Sequence, residues 1–348
     1  MKKHFRAVLG IALSVALLWW TLHGVSLSRV LHELGQANPW EFALATVLGT
    51  LVFPLRARRW RTILDPIYAK LPFDPLWRAT AIGMMVNNVV PARAGEVARA
   101  YVLTRETEVP FATSIASLAV DRVFDAIVLL MLAFSSLLDP AFPHGVRLGG
   151  QSVVSWAIGG SVLVAVLVIL LYTLVFFPAQ LIRVFEAFAR KLSPKIEARG
   201  RIALETFAQG LSVLRSPGHF FAVFLWTLVH WLCNGLAWWV AMKAVGIHVP
   251  FSAALLLQAL VAMGVAIPAA PGYFGVFEAV GKLGLAIYGV PGSLATSWAL
   301  GFHILSFIPI TLIGVFYATR LGFNLKDLRA EQNTAETSGQ SAAQNPVA

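Results

Sequence analysis

The feature that most constrains this chain is a series of long apolar runs separated by short basic segments. Six runs reach, or nearly reach, the roughly 20 residues that a helix needs to cross a bilayer. They are Ala7–Leu22, Trp40–Leu55, Phe111–Leu138, Val153–Phe177, Phe220–Met242 and Ser293–Ala318. Charged residues make up only 13% of the chain and the mean hydropathy is +0.73, whereas soluble domains carry about 25% charged residues. The sequence therefore predicts an all-α polytopic membrane protein with about six transmembrane helices.

Two further apolar stretches are interrupted where a spanning helix would continue. Leu76–Val90 runs into the motif PARAGE, and Phe251–Ile267 runs into PAAPGYFGVFE. Proline removes a backbone donor and clashes with the preceding turn, so each helix should end at its motif. We expect two re-entrant broken-helix hairpins. The predicted helix-break residues are Pro91, Gly95, Pro268, Pro271 and Gly272.

The two interruptions recur in one register, which indicates an internal repeat. A proline, a glutamate and a second proline are separated between the two copies by 180, 182 and 181 residues. These landmarks are Pro91, Glu96 and Pro110 in the first copy and Pro271, Glu278 and Pro291 in the second. The predicted repeat halves are residues 76–138 and 251–318.

Basic residues predict the topology, because lysine and arginine concentrate in cytoplasmic loops. With both hairpins re-entrant, 22 of the 27 lysines and arginines face the cytoplasm and Arg122 lies within a span. The cytoplasmic set includes Arg56, Arg58, Arg59 and Arg61, which follow the second span. Those left outside are Arg29, Arg147, Lys243 and Lys282. This places both termini in the cytoplasm, retains Ala7–Leu22 as a span rather than a signal peptide, and inverts one half relative to the other. If both arms of each hairpin crossed the membrane, every other loop would lie on the same side as before. Re-entrant hairpins and fully spanning hairpins therefore both remain possible.

Flanking segments complete the predicted organisation of a transmembrane domain over residues 1–322. Residues 178–217 form a cytoplasmic connector in which Ile182, Phe185, Phe188 and Leu192 recur at helical spacing, as in an interfacial amphipathic helix. Residues 323–348 are polar and predict a disordered cytoplasmic tail. The net charge of +10 lies in short runs beside apolar segments, which argues against nucleic-acid binding.

The polar residues around the first interruption predict an anion site. Asn87, Asn88, Arg93, Glu96 and Arg99 surround a backbone break at membrane depth. Irregular backbone is tolerated there only where it is buried or lines a polar cavity. A helix restarting at the break would aim free N–H groups into that cavity, and an arginine can grip an anionic oxygen with two donors. The alternative is that these charges form a structural network or face the cytoplasm.

Two further groups of polar residues lie in predicted spans. Asp121 and Asp125 share a helix face, and Arg122 can pair with Asp125 three residues away, either to bind substrate or to hold helices together. In the repeat register, Arg122 corresponds to His303, so each half would supply one basic group to a central cavity. After the second interruption, Glu278 either pairs with Lys282 or contacts a cationic headgroup or a proton. For three lone polar residues, His230, Asn234 and Gln258, interhelical hydrogen bonding is the favoured interpretation.

Catalytic signatures do not appear in the sequence. It contains no GxSxG, HExxH, paired-aspartate or phosphate-loop motif, and its one cysteine, Cys233, lies in an apolar run. We therefore predict no enzymatic activity, no cofactor and no bound metal ion. The alternative is an integral-membrane transferase that acts on lipid-linked substrates with Glu96 or Asp121 as its base.

Three motifs resemble one known family. NNVVPARAGEVARAYVL, the VDR of Val120–Arg122 and PGYFGVFE are similar to the transmembrane, flippase-like domain of lysylphosphatidylglycerol synthases and its stand-alone relatives. The resemblance extends from about residue 5 to residue 322. Members with a C-terminal aminoacyl-transferase domain make and flip aminoacylated phosphatidylglycerol, and the present sequence is expected to lack that domain.

The resemblance implies lipid translocation across a bacterial inner membrane rather than lysine transfer. The implied partner is a membrane lipid with a polar or anionic headgroup, whether a phospholipid, a hopanoid or a polyprenyl lipid. Its headgroup would sit where the two hairpins meet, near Arg93, Glu96, Arg122 and Glu278, and its tails would stay in lipid. A third alternative is a non-transporting partner of a lipid-biosynthesis enzyme, and the oligomeric state stays open.

Overall fold

The computed structural model describes residues 2–23, 25–90, 94–143, 145, 147–148, 150–193, 197, 201, 216–265 and 270–323. Among these residues, twelve α-helices make up most of the fold. They are α1 (Lys2–Leu22), α2 (Leu27–Gly35), α3 (Pro39–Leu64), α4 (Phe73–Val89), α5 (Gly95–Glu106), α6 (Phe111–Leu137), α7 (Val153–Phe176), α8 (Pro178–Leu192), α9 (Pro217–Ala244), α10 (Phe251–Gly264), α11 (Val276–Ala286) and α12 (Gly292–Arg320). A 3₁₀ turn at Pro271–Tyr273 lies between α10 and α11.

Proline sets several of the helix boundaries, as the sequence predicts. Extended prolines at positions 110, 250 and 291 directly precede α6, α10 and α12. Their fixed φ and missing N–H group suit a position where no helical hydrogen bond is needed. At the start of α3, the Asn38 side chain caps the helix by accepting from the backbone N–H groups of Trp40 and Glu41 at 3.0 and 3.4 Å.

Three of the helices are long and apolar enough to cross a membrane: α3, α9 and α12. The number rises to four if the bent pair Ala165–Phe176 and Pro178–Ala187 counts as one span. The predicted spans in α1, α6 and α7 coincide with helices, but α6 carries Asp121, Arg122 and Asp125 in its first half. An all-α membrane architecture is therefore confirmed, and the six-span topology stays a prediction.

Helix α3 is longer than the sequence interpretation allows. The predicted span ended at Leu55, and the arginines that follow it were assigned to a cytoplasmic loop. The helix instead continues to Leu64, with Arg56 and Arg59 buried inside the protein at 8% and 0% exposure. Placing these two arginines in a loop was wrong, because charge counting cannot distinguish a solvated basic residue from one that is paired inside the bundle.

Each broken stretch folds as two helices packed on each other, and the long helix of the opposite half lies against its first arm. Helix α4 packs on α5 and on α12, while α10 packs on α11 and on α6. Helices α3 and α9 form the most extensive contact of the fold. Gly314 of α12 lies so close to Ala81 and Met85 of α4 that an added Cβ would overlap both residues. The centre of the protein is therefore formed by helices drawn from both halves.

The remaining elements lie at the periphery. Helix α1 packs on α11, α2 packs on α12, and α7 packs on α6 and α8. Strands β1 (Arg147–Leu148) and β2 (Gln151–Ser152) form a short antiparallel pair in which Arg147 is opposite Ser152. The predicted amphipathic segment of the connector is helical over Pro178–Leu192, whereas most of residues 193–215 and the predicted tail from residue 324 lie outside the described residues.

Candidate functional site

The candidate site is organised around one fully buried arginine. The Arg59 guanidinium of α3 contacts two carboxylates of α6, with Nη2 lying 2.6 Å from Asp121 Oδ1 and Nη1 lying 2.6 Å from Asp125 Oδ1. Asp125 Oδ1 also accepts a hydrogen bond of 2.8 Å from the Trp231 indole of α9. The carboxylates sit one turn apart on the same face of α6, so a single arginine can bridge them. This contact fixes α3 against α6.

Three more arginines converge on the same carboxylates with looser contacts. Arg56 Nη2 lies 3.6 Å from Asp121 Oδ2 and 3.7 Å from Asp125 Oδ2. Arg99 Nη1 lies 3.8 Å from Asp121 Oδ2. Arg122 Nη1 donates to Asp125 Oδ2 at 3.4 Å, which confirms the pair predicted from their spacing. These side chains, together with Glu96, form what we call the charge cluster: Arg56, Arg59, Glu96, Arg99, Asp121, Arg122 and Asp125.

The charge cluster is short of negative charge. Within the described part of the chain it brings four guanidinium groups together with three carboxylates, an excess of one positive charge. Among these residues, Arg56 Nε and Arg99 Nε have no hydrogen-bond partner, and Asp121 Oδ1 and Oδ2 have only ionic contacts with arginines. Buried guanidinium donors are costly to leave unpaired. The arrangement therefore has both the charge and the donors to hold an additional anion.

Arg99 is held in place by its carbon stem and its ring contacts rather than by a close carboxylate. Its guanidinium lies over the Trp60 ring at 4.5 Å, and Nη2 donates to Thr80 Oγ1 at 3.3 Å. The Trp60 indole in turn donates to Ser117 Oγ at 2.7 Å, which fixes the ring. An added Cβ at Gly83 would overlap the Arg99 side chain. The absence of a side chain at Gly83 thus makes room for Arg99 between α4 and α5.

The charge cluster reaches the protein surface on one side, at the start of α5. Arg122 Nη2 contacts Glu96 Oε1, and these side chains are 47% and 27% exposed. Asp121 and Arg59, by contrast, are 1% and 0% exposed. The ionic contacts therefore run from a buried framework at Arg59 to an accessible edge at Arg122.

The two predicted asparagines make hydrogen bonds that organise the break. Asn87 Oδ1 accepts from the Gly95 backbone N–H at 2.8 Å and so caps the restart of the chain as α5. Asn88 Nδ2 donates to Thr311 Oγ1 of α12 at 2.7 Å. An added Cβ at Gly95 would overlap both Gly83 O and the Asn87 side chain. Gly95 is thus required by the close approach of α4 and α5.

The second break holds a different glutamate–base pair. Glu278 Oε1 lies 2.6 Å from His303 Nδ1, and Glu278 Oε2 accepts from the Gly275 backbone N–H at 2.6 Å. The other ring nitrogen, His303 Nε2, lies 2.8 Å from the Gly272 carbonyl oxygen. The Glu278 side chain is 0% exposed and that of His303 is 10% exposed. Lys282, which the spacing offered as a partner of Glu278, instead donates to Thr21 O of α1 at 2.7 Å.

The backbone of the second break is unusual for its residue types. Gly272, Tyr273 and Gly275 all have positive φ, at 68°, 62° and 86°. A tyrosine in this region is sterically disfavoured. Helix α1 closes over the turn, because Ser14 Oγ accepts from Ala270 N at 2.7 Å. The second break is therefore a strained turn held by α1 on one side and His303 on the other.

The lone polar residues of the spans make interhelical hydrogen bonds. His230 Nδ1 lies 3.2 Å from Val52 O on α3, and Asn234 Nδ2 donates to Gln258 Oε1 at 3.0 Å. This favoured interpretation is confirmed by both contacts. These residues link α9 to α3 and α10 rather than joining the charge cluster.

Not every predicted site residue can be placed. Arg93, Pro91 and Pro268 lie outside the described residues. Arg56 and Arg59 were missed by the sequence interpretation, although one signal was available. Both lie within one turn of each other directly after an apolar run, and α6 carries two aspartates at a similar spacing, which is the pattern of paired helix faces.

One family model matches nearly the whole chain. It is described as the lysylphosphatidylglycerol synthase TM region and matches residues 7–314. Two relatives of similar length are UPF0104 membrane proteins. That of Methanothermobacter thermautotrophicus is 25% identical over 334 residues, covering 92% of this chain and 93% of its own. That of Methanocaldococcus jannaschii is 20% identical over 296 residues, covering 83% and 87%.

A third relative is more similar over a shorter region. The protein named glycosyltransferase AglD of Haloferax volcanii is 36% identical over 156 residues. The match covers 44% of this chain but only 25% of AglD. The matched region thus spans about a quarter of that relative's length.

Proposed function

The chain belongs to the lysylphosphatidylglycerol synthase transmembrane-region family, and on that premise we propose that it translocates a lipid with an anionic, phosphate-class headgroup across the bacterial inner membrane. The headgroup binds at the open edge of the charge cluster, near Arg99, Arg122 and Glu96. The lipid tails stay in the hydrocarbon beside the hairpin.

The observation that carries this proposal is the excess positive charge of the cluster. Ionisable residues inside a membrane protein are costly and usually mark a substrate or ion pathway. Arg56 and Arg99 keep donors without a hydrogen-bond partner among the described residues, beside an edge at which Arg122 is 47% exposed. Arginine binds phosphate oxygens with two parallel donors, so one phosphate group would supply the missing acceptors and neutralise the excess charge.

An inverted repeat is the second part of the proposal. Helices α5 and α11 have 12 and 11 residues, so at about 1.5 Å per residue they are roughly 18 and 16 Å long, well short of the roughly 30 Å hydrocarbon core. This length supports re-entrant hairpins over full spans. Helix α4 of the first half packs on α12 of the second, and α10 of the second half packs on α6 of the first. The two contacts are therefore equivalent when the halves are exchanged. The turn at Pro271–Tyr273 also packs on α4, which supports breaks that approach each other across one cavity.

A transferase acting on lipid-linked substrates is the second candidate, favoured by the resemblance to a relative named glycosyltransferase. One feature of the cluster weakens it. Asp121, a suggested general base, lies 2.6 Å from Arg59 and is buried at 0% exposure. A carboxylate held this way is shielded from a substrate hydroxyl, whereas a general base must reach the proton it removes. Glu96, the other suggested base, is more accessible and keeps this candidate open.

The decisive experiment is reconstitution into liposomes with a panel of labelled lipids. We expect protein-dependent translocation of lipids with anionic headgroups and little translocation of a neutral-headgroup lipid. The variant Arg99→Met should slow translocation at least tenfold, because a lost charged hydrogen bond corresponds to roughly 1.5–3 kcal/mol. A matched control is Arg78→Met, which removes an arginine that pairs with Glu106 outside the cluster.

Two results would count against the proposal. Equal rates for anionic and neutral lipids would remove the charge cluster as the recognition element. Conversion of a lipid-linked substrate without movement between leaflets would favour the transferase.

The proposed topology has its own test. In a Cys233→Ser background, a cysteine introduced at the exposed Ala141 should react with an impermeant reagent only from the extracytoplasmic side. Labelling from the cytoplasmic side alone would overturn the orientation derived from the basic residues.

A further inference from the structure

The pair formed by Glu278 and His303 is the buried ionisable group that the proposed headgroup site does not use. Glu278 lies in the first turn of α11, and His303 lies in the middle of α12. The imidazole is enclosed by aromatic rings, with centroid distances of 4.4 Å to Phe274 and 4.5 Å to Phe277. The pair is thus shielded from water, and its protons are fixed by the hydrogen bonds available.

The hydrogen bonds of this pair require two hydrogens, which is one more than a neutral imidazole and a carboxylate carry together. His303 Nε2 faces the Gly272 carbonyl oxygen, which can only accept, so Nε2 must carry a hydrogen. His303 Nδ1 faces Glu278 Oε1 at 2.6 Å, and that contact needs a hydrogen on one of the two atoms. Because Glu278 Oε2 already accepts from Gly275 N, the shared hydrogen belongs between Oε1 and Nδ1. Imidazolium with carboxylate and imidazole with carboxylic acid both satisfy this count.

We propose that Glu278 and His303 together bind one proton and that this proton holds the second break in its closed form. The inference goes beyond the proposed function and does not depend on which substrate is transported. Loss of the proton to water leaves a neutral imidazole with one N–H and a carboxylate. One hydrogen cannot serve both Gly272 O and Glu278 Oε1, so deprotonation must break one of the two contacts.

The contact to Gly272 matters because of the backbone it holds. Gly272 and Tyr273 adopt positive φ, a region in which a residue with a Cβ is sterically disfavoured. Release of Gly272 O would allow this turn to relax, and the turn also packs against α4. Protonation of a pair on α11 and α12 is thereby linked to the turn that lies between the two hairpins.

The elements packed around the pair supply few competing charges. Within the described side chains, α10 and residues 12–22 of α1 carry no titratable group. On α11 itself, Lys282 donates to Thr21 O and lies 5.3 Å from the Trp20 ring. On α12, the Tyr317 hydroxyl accepts from the Trp77 indole at 3.2 Å. The turn adds Tyr273, whose phenol is the titratable group next in sequence to Gly272.

Several charged groups of the other helices that touch α12 lie in separate contacts. Glu33 of α2 contacts Arg29 at 3.3 Å and accepts from Ser297 Oγ at 2.7 Å. The cluster arginines of α3 pair with the two aspartates of α6, and Arg78 of α4 pairs with Glu106. His230 of α9 lies against a backbone carbonyl. Glu278 and His303 are therefore each other's ionic partners.

The variant Glu278→Gln should remove the bound proton and keep the hydrogen bonds of the pair. The introduced amide would donate through its NH₂ group to His303 Nδ1, and its carbonyl would accept from Gly275 N. His303 Nε2–H would still donate to Gly272 O. Every contact is kept without the extra proton. The matched control Glu33→Gln makes the same chemical change at another carboxylate that touches α12.

The test is thermal unfolding of the purified full-length protein in detergent, measured between about pH 6 and pH 9 for the three proteins. A proton that is bound in the folded state and released on unfolding makes the folding equilibrium constant fall as the pH rises above roughly 6.5, the pKa of an unfolded histidine, by at most about tenfold per pH unit. We expect this dependence in the wild type and in Glu33→Gln, and its loss in Glu278→Gln.

Each outcome bears on the inference, and none requires a transport assay, so its failure is distinguishable from failure of the proposed function. A wild-type pH dependence that survives in Glu278→Gln would overturn the bound proton. A Glu278→Gln protein that fails to fold at neutral pH would overturn it as well, because the amide can satisfy every hydrogen bond of the pair.

Discussion

The two breaks carry the same kind of pair in the same register, and the pairs differ in the base that each uses. Glu96 contacts Arg122 in the first half, and Glu278 contacts His303 in the second. The first pair is 27% and 47% exposed, whereas the second is 0% and 10% exposed. A guanidinium keeps its charge at any physiological pH, while an imidazole gains or loses a proton in that range.

This difference indicates a division of roles between two breaks that look alike in sequence. The first break presents a fixed positive charge at an accessible edge, which suits recognition of an anion. The second is enclosed, and its pair holds the proton of the inference above. Helix α1 contributes to that asymmetry, because Ser14 and Thr21 contact the second hairpin through Ala270 and Lys282.

The largest effect on the free energy of unfolding is expected for Arg59→Met. Asp121 and Asp125 would lose their closest partner while staying buried, and breaking such a buried pair costs about 3–5 kcal/mol. The first break depends on this framework, so the variant should fold poorly, as measured by yield and thermal unfolding in detergent. The control is Arg61→Met, two residues further along α3, where Arg61 pairs with Asp65 at 33% and 24% exposure. If the two variants are equally stable, the buried framework does not rest on Arg59.

A smaller loss is expected for Gly275→Ala in the second break. Gly275 has φ of 86°, and an added Cβ would overlap the Ser14 backbone carbonyl of α1. A strained residue of this kind costs about 1–3 kcal/mol. Gly289→Ala is the matched control, since Gly289 has φ of 70° but nothing within 4 Å of an added Cβ. The difference in thermal stability between the variants isolates the contact with α1, and a zero difference would contradict the closure of α1 over the turn.

The link between α1 and α11 predicts a smaller effect still. Lys282→Met removes a hydrogen bond to Thr21 O and a ring contact with Trp20, together worth about 1 kcal/mol. In the control Lys243→Met, the lysine lies 4.5 Å from the Trp239 ring of its own helix. Thermal unfolding should separate the two variants, because the contacts of Lys282 join two elements. Equal stability would show that Lys282 does not hold α1 in place.

Much of the helical pattern followed from local sequence. Proline marks the start of α6, α10 and α12, and the apolar runs coincide with the long helices. The end of α3 was not predictable from local sequence, because the run Arg56–Arg61 has the composition of a basic loop and its partners are distant in sequence. Those partners lie on α6, about 65 residues away, and only tertiary packing brings them together.

The candidate site was predicted in part for the same reason. Glu96 was proposed from its position beside a break and Arg122 from its place in the following span, and the repeat register related Arg122 to His303. The pairing of Glu278 with His303 rather than with Lys282 was not predictable, because the spacing along one helix favours Lys282. Packing of α11 on α12 and the fold of α1 over Lys282 decide the partner instead.

The smallest effect on stability, with a clear effect on transport, is expected for Arg122→Gln. Arg122 is 47% exposed, and exposed ion pairs contribute about 0–1 kcal/mol. Asp125 keeps its contacts with Arg59 and Trp231, so the framework should survive. Flux of an anionic lipid in liposomes should nevertheless fall, since the accessible edge loses its fixed charge, and Arg122→Lys should restore part of it. Normal flux in Arg122→Gln at matched protein level would mean that the fixed charge of Arg122 at the first break does not recognise the anionic lipid. A large loss of stability without a specific loss of flux would place Arg122 in the framework with Arg59.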